Sequence, residues 1–168
     1  MSYTQHYENM VRIVGGTDPM HALMFGAGIA TDEVIAAGSV VSLDSDGDFV
    51  LGCTGYDMPM YAENGTTDLD VTQETGIFSG GNLAAYVGCA GVELFTSAYD
   101  SASANSYARN TLLHAATGDD AGLLTEAASA AYNDAAILGS VSRGLLTEGY
   151  QQTRLYFFSY FIPPVSTT

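Results

Sequence analysis

Residues 39–53 read SVVSLDSDGDFVLGC, in which two short apolar runs flank an acidic segment that contains glycine. The runs SVVSL and FVLGC are rich in β-branched or aromatic residues, which is typical of strands. Asp46-Gly47 is a dipeptide of the kind that reverses the chain in a hairpin. The stretch therefore predicts a β-hairpin. Short apolar segments broken by Gly or Asp recur along the chain and favour an all-β fold, an antiparallel sandwich or barrel-like domain with long loops.

The three alternating aspartates of this stretch also resemble the start of a calcium-binding EF-hand loop. Counted from Asp44, such a loop needs glycine at its sixth position and glutamate at its twelfth. Those positions hold Phe49 and Gly55, and the flanking runs predict strands instead of helices. We therefore expect a turn and no EF-hand. A looser calcium site on Asp44, Asp46 and Asp48 stays open as an alternative.

The composition limits the classes of partner. The 168-residue chain has the length of one domain, and its four arginines, without any lysine, face 19 acidic residues to give a net charge of -15. Nucleic-acid affinity depends on cations that neutralise phosphates, so no nucleic-acid partner is expected. An acidic surface also repels anionic membranes. No apolar stretch approaches the ~18 residues of a membrane span, and the first residues lack the pattern of a secretion signal.

The chain divides into an N-terminal polar arm, residues 1–20, and a single β-rich domain, residues 21–168. The arm carries Tyr3 and Tyr7 and ends in the glycine- and proline-containing sequence GGTDP. Glycine and proline interrupt regular secondary structure, so we expect the arm to cross the surface of the protein and not to form part of its core.

Three internal segments give further predictions. Residues 56–76 are predicted to be loop-rich because Pro59 is incompatible with a central strand. Residues 83–96 predict a second hairpin by their alternating pattern. The alanine-rich residues 97–136 are ambiguous, because alanine favours helix while the recurring Ser, Asn and Asp favour loops. We expect at most one short helix there.

The stretch AILGSVSRG predicts a strand. The C-terminal stretch TRLYFFSYFIPP predicts another strand, which ends at Pro163-Pro164. Since alternate residues of a strand point to opposite faces, its two faces carry different side chains. One face holds Leu155, Phe157, Ser159 and Phe161, and the other holds Tyr156, Phe158, Tyr160 and Ile162. Either the strand is buried on both sides within one subunit, or a partner covers the tyrosine-bearing face.

Motifs for catalysis or metal binding are absent from the sequence. The three histidines, His6, His21 and His114, are widely separated and match no zinc motif. The serine-hydrolase elbow G-x-S-x-G is missing, and without lysine there is no P-loop. Cys53 and Cys89 are expected to be small buried thiols, with a disulfide as the alternative. We predict that the protein is not an enzyme and needs no cofactor.

Several stretches together resemble the capsid decoration, or cement, proteins of tailed bacteriophages, over about residues 20–164. They are AAGSVVSLDSDGDFVLGCTGYDMPMYA (36–62), GGNLAAYVGCAGVELFTSAYD (80–100), NTLLHAATGDDAGLLTEA (110–127), AAILGSVSRG (135–144) and LYFFSYFIPP (155–164). The resemblance implies a β-rich virion protein that binds the outside of the phage head and clamps neighbouring major capsid proteins, as a trimer or dimer. It implies no catalytic residues.

The expected contact residues follow from this resemblance and from the chain's tyrosines. Tyrosine gives a large contact area with few torsions to immobilise, and the chain has 11 tyrosines. The interface candidates are Tyr3, Tyr7, Tyr156, Phe158, Tyr160 and Ile162. We expect the protein on the capsid exterior, and in the host cytoplasm during assembly. The alternative function is a β-sandwich that binds a carbohydrate or a receptor, as in a fibre tip or adhesin, with calcium at the aspartate turn.

Overall fold

The computed structural model describes residues 12–16, 24–53, 57–63, 65, 83–87, 92–102, 104–127, 136–148 and 152–164. Their strands, numbered in chain order, form two antiparallel sheets. The six-stranded sheet has the order β1 (Arg12–Gly16), β7 (Val92–Thr96), β11 (Gln152–Ile162), β10 (Ile137–Glu148), β8 (Leu112–Ala115), β9 (Leu124–Glu126). The five-stranded sheet has the order β2 (Met24–Ala27), β6 (Leu83–Val87), β5 (Met60–Ala62), β3 (Val40–Leu43), β4 (Phe49–Leu51). The predicted all-β sandwich class is confirmed.

The main core joins the two sheets. Val40 and Tyr61 of the five-stranded sheet belong to the same buried cluster as Leu94 and Phe157 of the six-stranded sheet. The rings of Tyr61 and Phe157 lie 5.3 Å apart between centroids. The Tyr61 hydroxyl donates a hydrogen bond to the carbonyl oxygen of Leu138 at 3.2 Å, so its polar atom is satisfied inside the core.

A second cluster lies on the opposite face of the five-stranded sheet. It consists of Ile35, Val41, Phe49, Met60, Ala62, Leu83 and Ala85. Because Val40 and Val41 belong to different clusters, β3 is buried on both faces, and β5 is buried in the same way. This two-sided burial explains why β5 is a continuous apolar run and why β3 begins with two adjacent valines.

The predicted hairpin at residues 39–53 is confirmed. Strands β3 and β4 pair antiparallel, with Val41 opposite Leu51. The turn between them depends on Asp44, whose Oδ1 accepts hydrogen bonds from the backbone N–H groups of Asp46 and Asp48, both at 2.9 Å. Gly47 has a φ of 87°, which favours glycine because it lacks a Cβ.

The predicted hairpin of residues 83–96 is wrong, although both of its strands exist. β6 lies between β2 and β5 in one sheet, whereas β7 lies between β1 and β11 in the other. The chain passes from one sheet to the other between residues 87 and 92. Each strand is flanked on both sides by distant segments, and the alternation of a single segment does not specify those partners.

The prediction that Pro59 excludes a central strand is also wrong. Met60–Ala62 forms β5 immediately after the proline, between β6 and β3, and all three residues are buried. Proline lacks an N–H only at its own position, so a strand that begins one residue later loses no ladder hydrogen bond.

Residues 97–136 contain a hairpin that the alanine-rich composition concealed. Strands β8 and β9 pair antiparallel, with His114 opposite Thr125. A 3-10 turn, Gly118–Asp120, lies between them and is the helical element described in this region. Cross-strand packing outweighs the intrinsic preference of alanine here, because Leu113, Ala115 and Leu124 all enter the main core.

The predicted N-terminal arm contains a strand. β1 pairs antiparallel with β7 at the edge of the six-stranded sheet, with Ile13 opposite Leu94. Tyr3 and Tyr7 lie outside the described residues.

The predicted C-terminal strands are confirmed and form the centre of the six-stranded sheet. β10 and β11 pair antiparallel, with Val141 opposite Phe157 and Leu146 opposite Arg154. The register shifts between Ile137 and Gly139 and again between Val141 and Gly144. β11 ends at Ile162, immediately before Pro163. This pair of strands carries most of the face described next.

Candidate functional site

The candidate site lies on the outer face of the six-stranded sheet, turned away from the main core. On β11, Leu155 and Phe157 point into the core and are fully buried. Tyr156 and Phe158 point the other way and differ in exposure. Tyr156 is 2% exposed, whereas Phe158 is 43% exposed. Further along the strand, Tyr160 is half-buried and Ile162 is 50% exposed. The face is therefore covered at one end and open at the other.

The covered end is a stack of aromatic rings and guanidinium groups. The rings of Phe95 on β7 and Tyr156 on β11 lie 5.5 Å apart between centroids. The guanidinium of Arg154 lies 4.6 Å from the centre of the Phe95 ring, and that of Arg143 lies 5.5 Å from the centre of the Tyr156 ring. Both distances are within the range of a cation–π interaction. The two arginines therefore cover aromatic surface as well as carrying charge.

Glu93 fixes the position of Arg143. Its side chain lies on β7, opposite Phe158 in the β7–β11 ladder, and the residue is 5% exposed. Its Oε2 accepts a hydrogen bond from Arg143 Nη2 at 2.7 Å, and its Oε1 accepts one from the Ser142 hydroxyl at 2.6 Å. Both carboxylate oxygens are thus engaged, as burial of a charge requires. The Arg143 side chain remains 51% exposed.

An open groove of about 350 Å³ lies beside this ion pair. We call it the arginine groove, and its lining consists of Glu93, Arg109, Ser142, Arg143 and Phe158. Arg109 belongs to the loop that precedes β8 and is exposed. Within the part of the chain that the structure describes, the only salt bridge is Arg143–Glu93, so Arg109 brings a second cation without an ion-pair partner there.

The cations of this acidic chain gather on one face. Arg109, Arg143 and Arg154 are three of its four arginines, and all three lie on the outer face of the six-stranded sheet. The fourth, Arg12, lies opposite Phe95 in the β1–β7 ladder. In a chain of net charge -15 this arrangement sets the face apart from the acidic remainder.

The sequence-predicted contact residues are only partly brought together. Phe158 is exposed on the outer face, and Ile162 is exposed at the end of β11. Tyr160 is half-buried, and Tyr156 is already covered within the chain by Phe95 and Arg143. β11 is buried on both sides at residues 155–157, as the single-subunit interpretation predicts, whereas Phe158 is exposed. Cover of this exposed part by a partner stays a prediction. The sequence reasoning missed Glu93, Arg109 and Arg143. The scarcity of cations in the sequence was the signal that could have found the two arginines.

The aspartate turn is occupied by its own backbone. Asp44 accepts the two turn hydrogen bonds described above, and the Asp48 side chain lies against Gly28. Within the described ranges, no three His, Cys, Asp or Glu side chains come together in a group that could hold a metal ion. His114 has its Nε2 atom 3.2 Å from the carbonyl oxygen of Glu126, within hydrogen-bonding distance.

Three groups with raised pKa values lie in the packed interior or at its edge. Burial, with a smaller contribution from Asp57, raises the pKa of the free Cys53 thiol to about 12, and this thiol donates a hydrogen bond to the carbonyl oxygen of Asp57 at 3.0 Å. Burial likewise raises the pKa values of Tyr61 and Tyr107 well above the ordinary value of tyrosine. These groups therefore stay neutral near pH 7, and none of them lines the arginine groove.

Fold and site together define a β-sandwich with an arginine- and aromatic-rich face. Comparisons of the chain with protein-family models, curated proteins and solved structures found no match. None of the helical segments among the described residues is long and apolar enough to cross a membrane.

Proposed function

We propose that this protein is a capsid decoration protein of a tailed bacteriophage. It binds the outer surface of the head and stabilises the lattice of the major capsid protein. The observation that carries the proposal is the open end of the outer face, where Phe158 is exposed on the central strand β11, which also ends at the exposed Ile162. The five sequence stretches that resemble decoration proteins support it, and two of them form β10 and β11.

The outer face suits binding without catalysis. Association costs free energy when long flexible side chains are immobilised, about 0.5–1.5 kcal/mol for each one. On this face Arg143 and Arg154 already lie against aromatic rings, and Arg143 is also bonded to Glu93. These two side chains therefore lose less conformational entropy when a partner binds. The partners we propose are the major capsid protein and further copies of this chain, as a trimer or dimer on the capsid exterior after assembly in the host cytoplasm.

Purified particles test the proposal directly. Heads of the phage that encodes the chain are analysed by quantitative mass spectrometry and by cryo-electron microscopy. We expect many copies per particle, with density for the β-sandwich on the outside of the head. Particles that lack the chain, or that carry a handful of copies at the tail, would contradict the proposal.

A further inference from the structure

We infer that the arginine groove is where this protein holds the capsid shell. Its occupant is an acidic side chain of the major capsid protein, with an apolar neighbour of that side chain packed on Phe158. This inference rests on the proposed function and deepens it, because it names the contacting surface and the chemistry that the surface recognises.

The charges of the groove favour an anionic group. Arg109 and Arg143 both line it, and Glu93 is the one acidic residue among the described residues of its lining. The Glu93 carboxylate is almost fully buried, and both of its oxygens already accept hydrogen bonds from Ser142 and Arg143. In the described lining, two arginines therefore face one carboxylate, although the whole chain carries a charge of -15. An acidic partner repelled by most of the chain meets attraction at this point.

The geometry favours a carboxylate next to an apolar group. A guanidinium has five N–H donors, and Arg143 uses its Nη2 for Glu93 while half of its side chain stays exposed. Arg109 is exposed with its own set of donors. Guanidinium groups bind carboxylates through paired hydrogen bonds. Phe158 forms an apolar wall of the same groove, and displacement of water from that wall strengthens a neighbouring ion pair.

A second copy of the chain is the less suitable occupant. It also carries many carboxylates, but each copy has a net charge of -15, so two copies repel each other as they approach. We therefore assign the groove to the shell protein, and contacts between copies of this chain to other surfaces.

The test measures binding of the purified full-length protein to heads assembled without it. Wild type is compared with Arg109→Gln and with the charge-matched control Ser45→Asp. Ser45 is exposed in the turn between β3 and β4, on the other sheet, and both substitutions change the net charge by one unit in the same direction. A second pair compares Phe158→Ser with Val34→Ser. The Val34 side chain is exposed and does not belong to the groove lining. Circular dichroism and Tm confirm that each variant folds.

We expect Arg109→Gln to bind the heads about tenfold more weakly or worse, since a hydrogen bond to a charged group contributes about that factor. Phe158→Ser should also weaken binding, while Ser45→Asp and Val34→Ser should stay within about twofold of wild type. Higher salt should weaken the wild-type protein more than Arg109→Gln, because the variant has lost part of the screened interaction.

The alternative outcomes separate the two proposals. If wild type binds and Arg109→Gln binds equally well, the groove assignment is wrong while the decoration function stands. If Ser45→Asp weakens binding as much as Arg109→Gln, net charge and not the groove controls binding. If sedimentation velocity shows that Arg109→Gln changes only self-association, the groove contacts another copy and the assignment fails. If wild type does not bind the heads, the decoration function and the groove assignment both fail.

Discussion

Thr96 links the end of a strand in one sheet to the turn that leads into the other. It is fully buried at the end of β7. Its hydroxyl donates a hydrogen bond to the carbonyl oxygen of Gly38 at 2.8 Å and accepts one from the backbone N–H of Ala98 at 3.0 Å. Gly38 has a φ of +87°, and a Cβ there would lie 2.5 Å from the Thr96 hydroxyl oxygen. The Thr96 hydroxyl therefore needs glycine at position 38, and the Gly38 carbonyl needs the hydroxyl as its hydrogen-bond donor.

Substitution of Thr96 by valine keeps the shape of the side chain and removes both hydrogen bonds. We expect Thr96→Val to lower the free energy of unfolding by about 2 kcal/mol, because a buried carbonyl and a buried N–H each lose a partner. Urea unfolding measures the loss. The matched control is Thr147→Val, where an exposed hydroxyl lies 2.8 Å from that of Thr153. It should change stability by less than about 0.5 kcal/mol. Equal losses in the two variants would contradict the linking role.

At the scale of elements, the β3–β4 hairpin illustrates a turn held by one side chain. Asp44 accepts two backbone N–H groups, whereas Asp46 is exposed at the tip. Asp44→Ala should lower the free energy of unfolding by about 1 kcal/mol, as the loss of a comparable cap does. Asp44→Asn should cost less, because its amide oxygen still accepts hydrogen bonds. Asp46→Ala serves as the control and should have little effect.

Thermal unfolding of the wild-type protein distinguishes a structural turn at Asp44 from a calcium site. A ligand that binds only the native state raises its stability in proportion to the logarithm of its concentration. We expect the wild-type Tm to be the same in calcium chloride and in EDTA at matched ionic strength. A rise with calcium that disappears in Asp44→Asn would show that the aspartates bind the ion and would restore the calcium-dependent alternative.

Gly139 lets β10 and β11 approach each other below the exposed end of the outer face. A Cβ at this position would collide with the carbonyl oxygen of Phe158 and lie 3.1 Å from Cδ2 of Phe157. We expect Gly139→Ala to lower the free energy of unfolding by roughly 1–3 kcal/mol, the usual cost of overpacking. Its neighbour Ser140→Ala adds no atoms and should cost clearly less. If the two variants were equally stable, the close approach at Gly139 would not constrain the strand pair.

How far the sequence predicts these elements depends on how local their determinants are. Strand, turn and partner of the β3–β4 hairpin all lie within residues 39–53, so the prediction succeeds. Strands β6 and β7 are also recognisable, but their partners are distant and lie in different sheets, and no local pattern encodes that choice. The β8–β9 hairpin was missed because the composition of this region favours helix or loop. Its strands are stabilised by the contacts that Leu113 and Leu124 make in the main core, which depend on distant segments.

The candidate site follows the same rule. The opposite directions of Phe157 and Phe158 follow from the period of a single strand, whereas the register shift between Ser159 and Ile162 interrupts that period and has no signal in the sequence of β11. The cover over Tyr156 comes from Phe95 and Arg143 on two other strands, so its burial was not predictable from β11 alone. The arginine groove combines residues of β7, β10, β11 and the loop before β8, which are adjacent only in the folded sheet.

At the scale of the whole molecule, repulsion between carboxylates opposes folding. Nineteen acidic residues face four arginines in 168 residues. Within the described ranges there is one salt bridge, Arg143–Glu93, whose carboxylate is almost fully buried. Salt screens exposed charges strongly and buried pairs much less. Added salt should therefore remove more repulsion than attraction.

We accordingly expect the Tm at pH 7.5 to rise by several degrees when sodium chloride is raised from about 0.02 M to about 0.5 M. Over this range the Debye length falls from roughly 20 Å to roughly 4 Å, which is shorter than most distances between surface charges. Circular dichroism melting curves measure the change. Potassium chloride at equal ionic strength is the control, since screening does not depend on the identity of the cation. A Tm that falls with salt would mean that attractive ion pairs dominate the surface, whereas a rise with only one of the two salts would indicate a specific cation site.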